Sequence, residues 1–241
     1  MRMIEDRLTM AHRFHAFDSG AALAAALSQS VSTVLSEAIA ARGHATIAVS
    51  GGSTPKAFFE ALSVKEIAWD KVTVTLVDER FVPDDNPRSN HLLVRTHLLK
   101  NAAQKAVFVP LYQPEETIEE AAKTATLKTQ GLDAPFDVVI LGMGNDGHTA
   151  SFFPGGDHLA EALDLTLPRR VMTMRAAGAG EERLTFSFTS LADARFLALH
   201  IEGAEKKAVF DKALAGEDEA DMPIRAVLNR SASEPQIFWA P

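Results

Sequence analysis

The chain reads as an α/β protein in which a mostly parallel open sheet carries helices on both faces. Two observations predict this. Short apolar runs such as Ala45–Val49 and residues 72–77 alternate with longer segments whose apolar side chains recur every three or four positions, the pattern of buried parallel strands joined by amphipathic helices. The 241 residues are 46% hydrophobic and show no shift in composition, so residues 1–241 are expected to form a single domain around one core.

Each element has its own signal. From Ser19, the residues Leu23, Leu27, Val31, Val34, Leu35, Ala38 and Ile39 mark one face of a helix, and Gly43 is placed to end it. Ala45–Val49 is a strand, followed by a glycine pair and by Pro55, a residue favoured in a first helical turn. Residues 72–77 are β-branched and free of turn residues, whereas residues 83–90 are dense in Pro, Asp, Asn and Ser and read as a long loop. Ser89 can cap a helix running to about Leu99, and Thr117-Ile-Glu-Glu120 fits a capping box for a helix closed by Gly131. Residues 136–141, Val171–Met174, the alternating Leu184, Phe186 and Phe188, and residues 196–201 are further strands, and Ala204–Leu214 is a helix stopped by Gly216. The acidic stretch at 217–221 reads as a solvated loop. No repeat, heptad seam or low-complexity segment is present.

Composition excludes several functions. Lys and Arg number 24 against 32 Asp and Glu, a formal charge of −8 that argues against nucleic acid as a partner. With no cysteine there is no disulfide framework, thiolate metal site or cysteine nucleophile, and the composition fits a reducing cytoplasm. The opening 17 residues lack the apolar run of a signal peptide, and no later segment is expected to reach the roughly 20 uncharged residues of a membrane span. A cytoplasmic protein without a membrane partner is expected. Oligomeric state, and the true start among Met1, Met3 and Met10, stay open.

In open parallel sheets ligands bind at the carboxyl ends of strands, which directs attention to four loops. Ser50-Gly-Gly-Ser-Thr-Pro-Lys56 joins a strand to a helix, so the N–H groups of Gly51, Gly52, Ser53 and Thr54 can hold a phosphate; an ordinary glycine turn fits the segment equally well. It lacks Walker spacing, and Ala48-Val-Ser-Gly-Gly52 is only a poor nucleophile elbow around Ser50. Asp78-Glu-Arg80 ends a strand, with Arg88 and Asn90 in the loop that follows. Asp and Arg there can act as base and anion clamp, or simply pair at the surface. Gly142-Met-Gly-Asn-Asp-Gly-His148 contains a literal G-x-G-x-x-G, but only a short helix fits before Pro154, so it is rejected as a dinucleotide fingerprint despite Glu161 and Asp164 downstream. What remains is His148 on a tight loop beside Asp146, a histidine suited to general base catalysis near neutral pH. The other seven histidines (His12, His15, His44, His91, His97, His158 and His200) carry no comparable context, and no metal-binding cluster stands out. Lys206 in a first helical turn opposes the helix dipole unless it meets an anion, and Arg183 before a strand is a similar, weaker candidate.

The order of these segments is more specific than any one of them. Ser50-Gly-Gly-Ser-Thr-Pro55, Val77-Asp-Glu-Arg80 with Ser89-Asn90, Leu141-Gly-Met-Gly-Asn-Asp-Gly-His-Thr-Ala-Ser-Phe-Phe-Pro154, Arg183-Leu-Thr185 and Gly203-x-x-Lys206 together resemble the 6-phosphogluconolactonase family over almost the whole chain. The resemblance implies a sheet related to those of glucosamine-6-phosphate deaminases and ribose-5-phosphate isomerases. It also implies hydrolysis of 6-phospho-D-glucono-1,5-lactone to 6-phosphogluconate in the oxidative pentose phosphate pathway, without a cofactor. His148 would activate water with Asp146 orienting its loop, and Arg80 would stabilise charge at the carbonyl or hold substrate. Gly51, Gly52, Ser53 and Thr54 would grip the phosphate with Lys206 and Arg183 as counter-charges, and Asn90 would line the same site. Two departures stand out: Ser190-Leu-Ala-Asp193 lacks an Asn frequent in the family after the leucine, and the chain ends at Phe238-Trp-Ala-Pro241 without an acidic-alanine tail. Three rivals are an aminosugar-phosphate isomerase using Asp78 as carbon-acid base, a serine lactonase using Ser50, and a non-catalytic sugar-phosphate sensor. The first expects an Asn-Glu pair soon after the histidine where Ser151-Phe-Phe-Pro154 stands.

Overall fold

The computed structural model describes residues 13–132 and 135–241, so the candidate starts at Met1, Met3 and Met10 and the side chain of His12 lie outside it. The chain runs β1 (Arg13–Ala16), α1 (Gly20–Arg42), β2 (Ala45–Val49), α2 (Lys56–Ser63), β3 (Val72–Leu76), β4 (Asp78–Arg80), α3 (Asn90–His97), β5 (Val107–Val109), α4 (Ile118–Thr129) and β6 (Val138–Leu141). It continues through α5 (Leu159–Ala162), β7 (Val171–Met174), β8 (Arg183–Phe186), α6 (Phe188–Leu191), β9 (Phe196–Glu202), α7 (Ala204–Leu214), α8 (Ile224–Arg230) and β10 (Gln236–Ala240).

Seven strands form the main sheet in the order β1-β10-β9-β6-β2-β3-β5, every pairing parallel. The central strands β2 and β6 are buried at every position, as strands covered on both faces must be. Helix α1 forms as its periodicity predicts. Ser19 Oγ accepts from Ala22 N, and Gly43 in the left-handed conformation (φ 85°) sends its N–H to Ile39 O, so both ends are closed. By length and composition alone this helix is apolar enough to cross a membrane, contrary to the expectation that no segment would be. Its apolar stripe of Leu23, Leu27, Val31 and Leu35 is instead wholly buried in the core. Ser89 and Thr117 cap α3 and α4 as anticipated. The Thr117 hydroxyl accepts from Glu120 N and donates to the Glu120 carboxylate, a variant of the expected box.

Three expectations are corrected. Val171–Met174 and Arg183–Phe186 do not join the parallel sheet; they form a separate three-stranded antiparallel sheet in the order β4-β8-β7. The cause lies just after β3. Val77 N still bonds Val49 O in the main sheet, whereas Val77 O accepts from Phe186 N, so the chain changes sheets at that residue. The alternation also stops earlier than expected, because Phe188 opens the short helix α6. Finally, no helix follows the glycine-rich loop at 142–148. Thr149 and Phe152 face each other in an isolated antiparallel bridge, which removes any remaining dinucleotide reading.

At the amino end of β6, Asp137 is buried and ties two central strands together. Its carboxylate accepts from Thr46 N at 2.9 Å and pairs with Arg42 and Arg195. Asp137→Ala leaves the Thr46 N–H without an acceptor, which predicts a loss of about 1–3 kcal/mol; urea unfolding of the variant against the parent measures it.

Candidate active site

The parallel order β9-β6-β2-β3 sets the carboxyl ends of four strands side by side, and a polar cleft of about 290 Å³ opens across them. The loop after β2 supplies Gly51, Gly52, Ser53 and Thr54. β4 and the start of α3 supply Asp78, Arg80 and Asn90, the loop after β6 supplies His148, and the segments after β7 and β9 supply Arg183 and Lys206. Of the ten residues expected here, nine line the cleft. Asp146 stands behind it, in contact with His148.

One close approach and one left-handed turn define the loop after β2. A Cβ on Gly51 would lie 1.8 Å from Asn90 Oδ1, and Gly52 holds φ +94°, a conformation that favours glycine. Neither a backbone nor a side-chain hydrogen bond engages the N–H groups of Gly51, Gly52, Ser53 or Thr54 among the described residues. The eight-residue helix α2 begins immediately after them, with Pro55 as its cap. Four free amides and two hydroxyls ahead of a helix N-terminus are an arrangement able to hold an anion.

The loop at 142–148 is tighter still. His148 Nδ1 lies 2.6 Å from Asp146 Oδ1, which also accepts from the His148 backbone N–H at 3.1 Å. Burial works against the charge on Asp146, but the hydrogen bond, charge and backbone N–H of His148 outweigh it and hold the carboxyl at about 2. An ionised acceptor on Nδ1 leaves Nε2 to exchange protons in the cleft. The imidazole stacks on Phe153 with ring centres 4.2 Å apart, and the Arg183 guanidinium lies over the same ring. The loop is braced from the far end of the chain. Ile224 N donates to Gly147 O, and a Cβ on Gly147 would strike Met222.

Asp78 and Arg80 do not pair at the surface. Asp78 is buried, accepts from Ser151 Oγ at 2.6 Å and faces Arg183 Nη1 at 3.9 Å. Arg80 is the last residue of a strand rather than part of a loop, and donates to Arg88 O. The Nε atoms of Arg80 and Arg183 are buried without a hydrogen-bond partner among the described residues. Burial lowers Arg183 below the usual arginine value, and burial likewise lowers Lys206 against the pull of Glu205 and Asp146. Ser50 also lines the cleft, but its hydroxyl bonds no histidine among the described residues.

Sequence reading missed Glu79, Ser151, Phe153 and Met222. Glu79 is fully buried and accepts from four donors, Arg80 N, Ser89 Oγ, Asn90 N and His91 N. Burial pushes its carboxyl up against these hydrogen bonds. An acid beside Arg80 in sequence gave no signal of burial, and only the return of the chain at Ser89 creates its partners.

The fold and the site define an α/β protein with a cation-lined cleft at the carboxyl edge of a parallel sheet and a histidine in it that is backed by an aspartate. Residues 18–239 match the family model described as glucosamine-6-phosphate isomerases/6-phosphogluconolactonase. The chain is 62% identical to a 6-phosphogluconolactonase of Rhizobium meliloti over 232 residues, covering 96% of this chain and all of that protein. It is 52% identical to one of Mesorhizobium japonicum, covering 95% and 96%. A 6-phosphogluconolactonase structure from Shewanella baltica superposes with a TM-score of 0.92 at 40% identity, covering 95% of this chain and 97% of that one. The chain belongs to the glucosamine-6-phosphate isomerase/6-phosphogluconolactonase family.

A Cβ on Gly144 would lie 2.1 Å from His148 Nδ1 and 2.5 Å from Asp146 Oδ1. Gly144→Ala therefore separates the pair, and the expected result is loss of the hydrogen-bonded Nδ1–H proton resonance of His148 in NMR spectra.

Proposed function

We propose that this chain is a 6-phosphogluconolactonase that opens 6-phospho-D-glucono-1,5-lactone by water attack, with His148 as general base. The observation that carries the reading is the meeting in one cleft of His148, backed by Asp146, four unengaged amides before a helix, and Arg80, Arg183 and Lys206. The names of the relatives support the same substrate.

In this mechanism the phosphate sits on the N–H groups of Gly51 to Thr54 with Lys206 as counter-charge, which fixes the ring at the histidine. His148 Nε2 removes a proton from water as its oxygen attacks the lactone carbonyl, and Asp146 stabilises the imidazolium that forms. Arg80 holds the negative charge that develops on the carbonyl oxygen, with Arg183 beside it. Collapse breaks the bond to the ring oxygen, which takes the proton back from His148. The new carboxylic acid then ionises and releases one proton to solvent.

This chemistry draws on no cofactor, and the setting we propose is cytoplasmic, with residues 1–241 acting as one domain. Asp78 suits this reaction better than carbon-acid chemistry, because Ser151 donates to its carboxylate and Arg183 faces it.

A general base contributes about 10² to 10⁴ in rate, so His148→Ala lowers kcat by that order in a proton-release assay corrected for spontaneous hydrolysis. An unchanged kcat removes His148 from the mechanism. Lys206 gives a pH dependence with a definite sign. Burial lowers it from the ordinary 10.5, so its charge is lost as pH rises through a value below that of an exposed lysine. Above pH ~8 the phosphate, with its second pKa near 6, no longer titrates. Calorimetry in that range shows binding of 6-phosphogluconate weakening as pH rises, and Lys206→Met removes the dependence.

A further inference from the structure

We infer that Glu79 is a positioning residue: its buried carboxylate holds Arg80 and Asn90 in the cleft. The inference rests on the sugar-phosphate reading of that cleft. Glu79 Oε1 accepts from Arg80 N at 2.7 Å and Asn90 N at 2.8 Å, and Oε2 accepts from His91 N at 2.8 Å and Ser89 Oγ at 3.0 Å. Four donors converge on two oxygens with no acceptor opposite them, the pattern of an ionised carboxylate.

Three of these partners are more than simple anchors. Asn90 and His91 open helix α3, and their N–H groups belong to the turn that has no partners within the helix. Glu79 supplies both acceptors from a neighbouring strand, places a negative charge at the positive end of that helix, and so fixes where Asn90 enters the cleft. The Asn90 side chain then donates to Asp78 O at 2.9 Å and closes on Gly51, where no Cβ fits. The same carboxylate oxygen that takes Asn90 N also takes Arg80 N. One buried oxygen therefore sets the spacing between the guanidinium side of the cleft and the phosphate loop. Glu79 touches no cleft space itself: it is fully buried and does not line the cavity.

Glu79→Gln is nearly isosteric, but its NH2 group must face either the Arg80 and Asn90 amides or the His91 amide and Ser89. The test is a double-mutant cycle on kcat/KM for 6-phosphoglucono-1,5-lactone, with Arg80→Lys as the second change because it keeps the charge and loses the forked donor. Glu79→Gln alone lowers kcat/KM by about tenfold or more, whereas in the Arg80→Lys background it costs at least about threefold less, because the share that acts through Arg80 cannot be lost twice. A merely structural lesion gives the same fall in both backgrounds and overturns the inference, as does a kcat/KM within about twofold of wild type. Should Glu79→Gln not fold, Ser89→Ala replaces it, removing from outside the cleft the hydroxyl that donates to Glu79 and also caps α3. A fall of about threefold, masked by Arg80→Lys, is then expected, and no fall overturns the inference. A wild-type chain that neither accelerates lactone opening nor binds 6-phosphogluconate overturns the functional reading together with this one. An active wild type with unaffected variants overturns this one alone.

Discussion

The parallel register of β9, β6, β2 and β3 is the constraint on which the rest depends. Val49 pairs with both Ile140 and Leu76, and Leu141 pairs with Leu199, so β6, β2 and β3 end at nearly one level, β9 runs on to Glu202 beside them, and the loops emerge as neighbours. Ser50 N bonds Ile140 O and Val77 N bonds Val49 O, which carries the ladder one residue beyond the strands and into the loops. Loops launched so close together cannot all be bulky. This is why the first residues beyond β2 and β6 are Ser50-Gly51-Gly52 and Gly142-Met143-Gly144, and why other side chains, Asn90 from α3 at Gly51 and His148 from the same loop at Gly144, occupy the space a Cβ would take.

Crowding of this kind converts sheet geometry into side-chain geometry. His148 is oriented by Asp146, by the ring of Phe153 and by backbone bonds that close its own loop, including Gly144 N to His148 O at 2.8 Å. The loop also carries local strain, since Ala150 holds φ +48°, a conformation costing a non-glycine residue roughly 1 kcal/mol or more. The brace from Met222 and Ile224 comes from the segment that Arg225 fastens. This buried guanidinium donates to the carbonyls of Lys212, Ala213 and Asp218, closing the end of α7 where free carbonyls need donors. A site at one edge of the sheet is thus held by contacts that reach the last helix.

How much of this was legible in the sequence follows from how local each signal is. Helix α1 and its Gly43 stop were readable because all of their partners lie within four residues. Nine cleft residues were readable because strand-to-helix loops with glycine, histidine and cations have a known place in a parallel sheet. The second sheet was not readable, because β4 is three residues long and gains its partner, β8, only through a chain reversal about 100 residues later. Nor were β1 and β10, which stand beside each other although they come from opposite ends of the chain. Ser151 illustrates the limit within the site: its hydroxyl meets Asp78, 73 residues away, and nothing near Ser151 in sequence announces that partner.

A protein with a charge of −8 that gathers Arg80, Arg183 and Lys206 in one cleft works against Coulomb repulsion and against burial. The lowering of Arg183 and Lys206 by burial records that cost. Acids nearby offset part of it: Asp78 faces Arg183, Glu79 holds the backbone of Arg80, and Asp146 acts on Lys206. None of these carboxylates neutralises its cation by a close ion pair, since the Asp78–Arg183 separation is 3.9 Å and the Nε atoms of Arg80 and Arg183 have no partner. The acids therefore make the cluster tolerable without consuming its donors. An anion bound there, as proposed, would complete the hydrogen bonds that folding leaves open, and such an interaction is strongest where charge and free donors coincide. The net negative charge and the cationic cleft are consistent features of one molecule, the second confining positive potential to the place where the proposed phosphate and developing oxyanion would meet it.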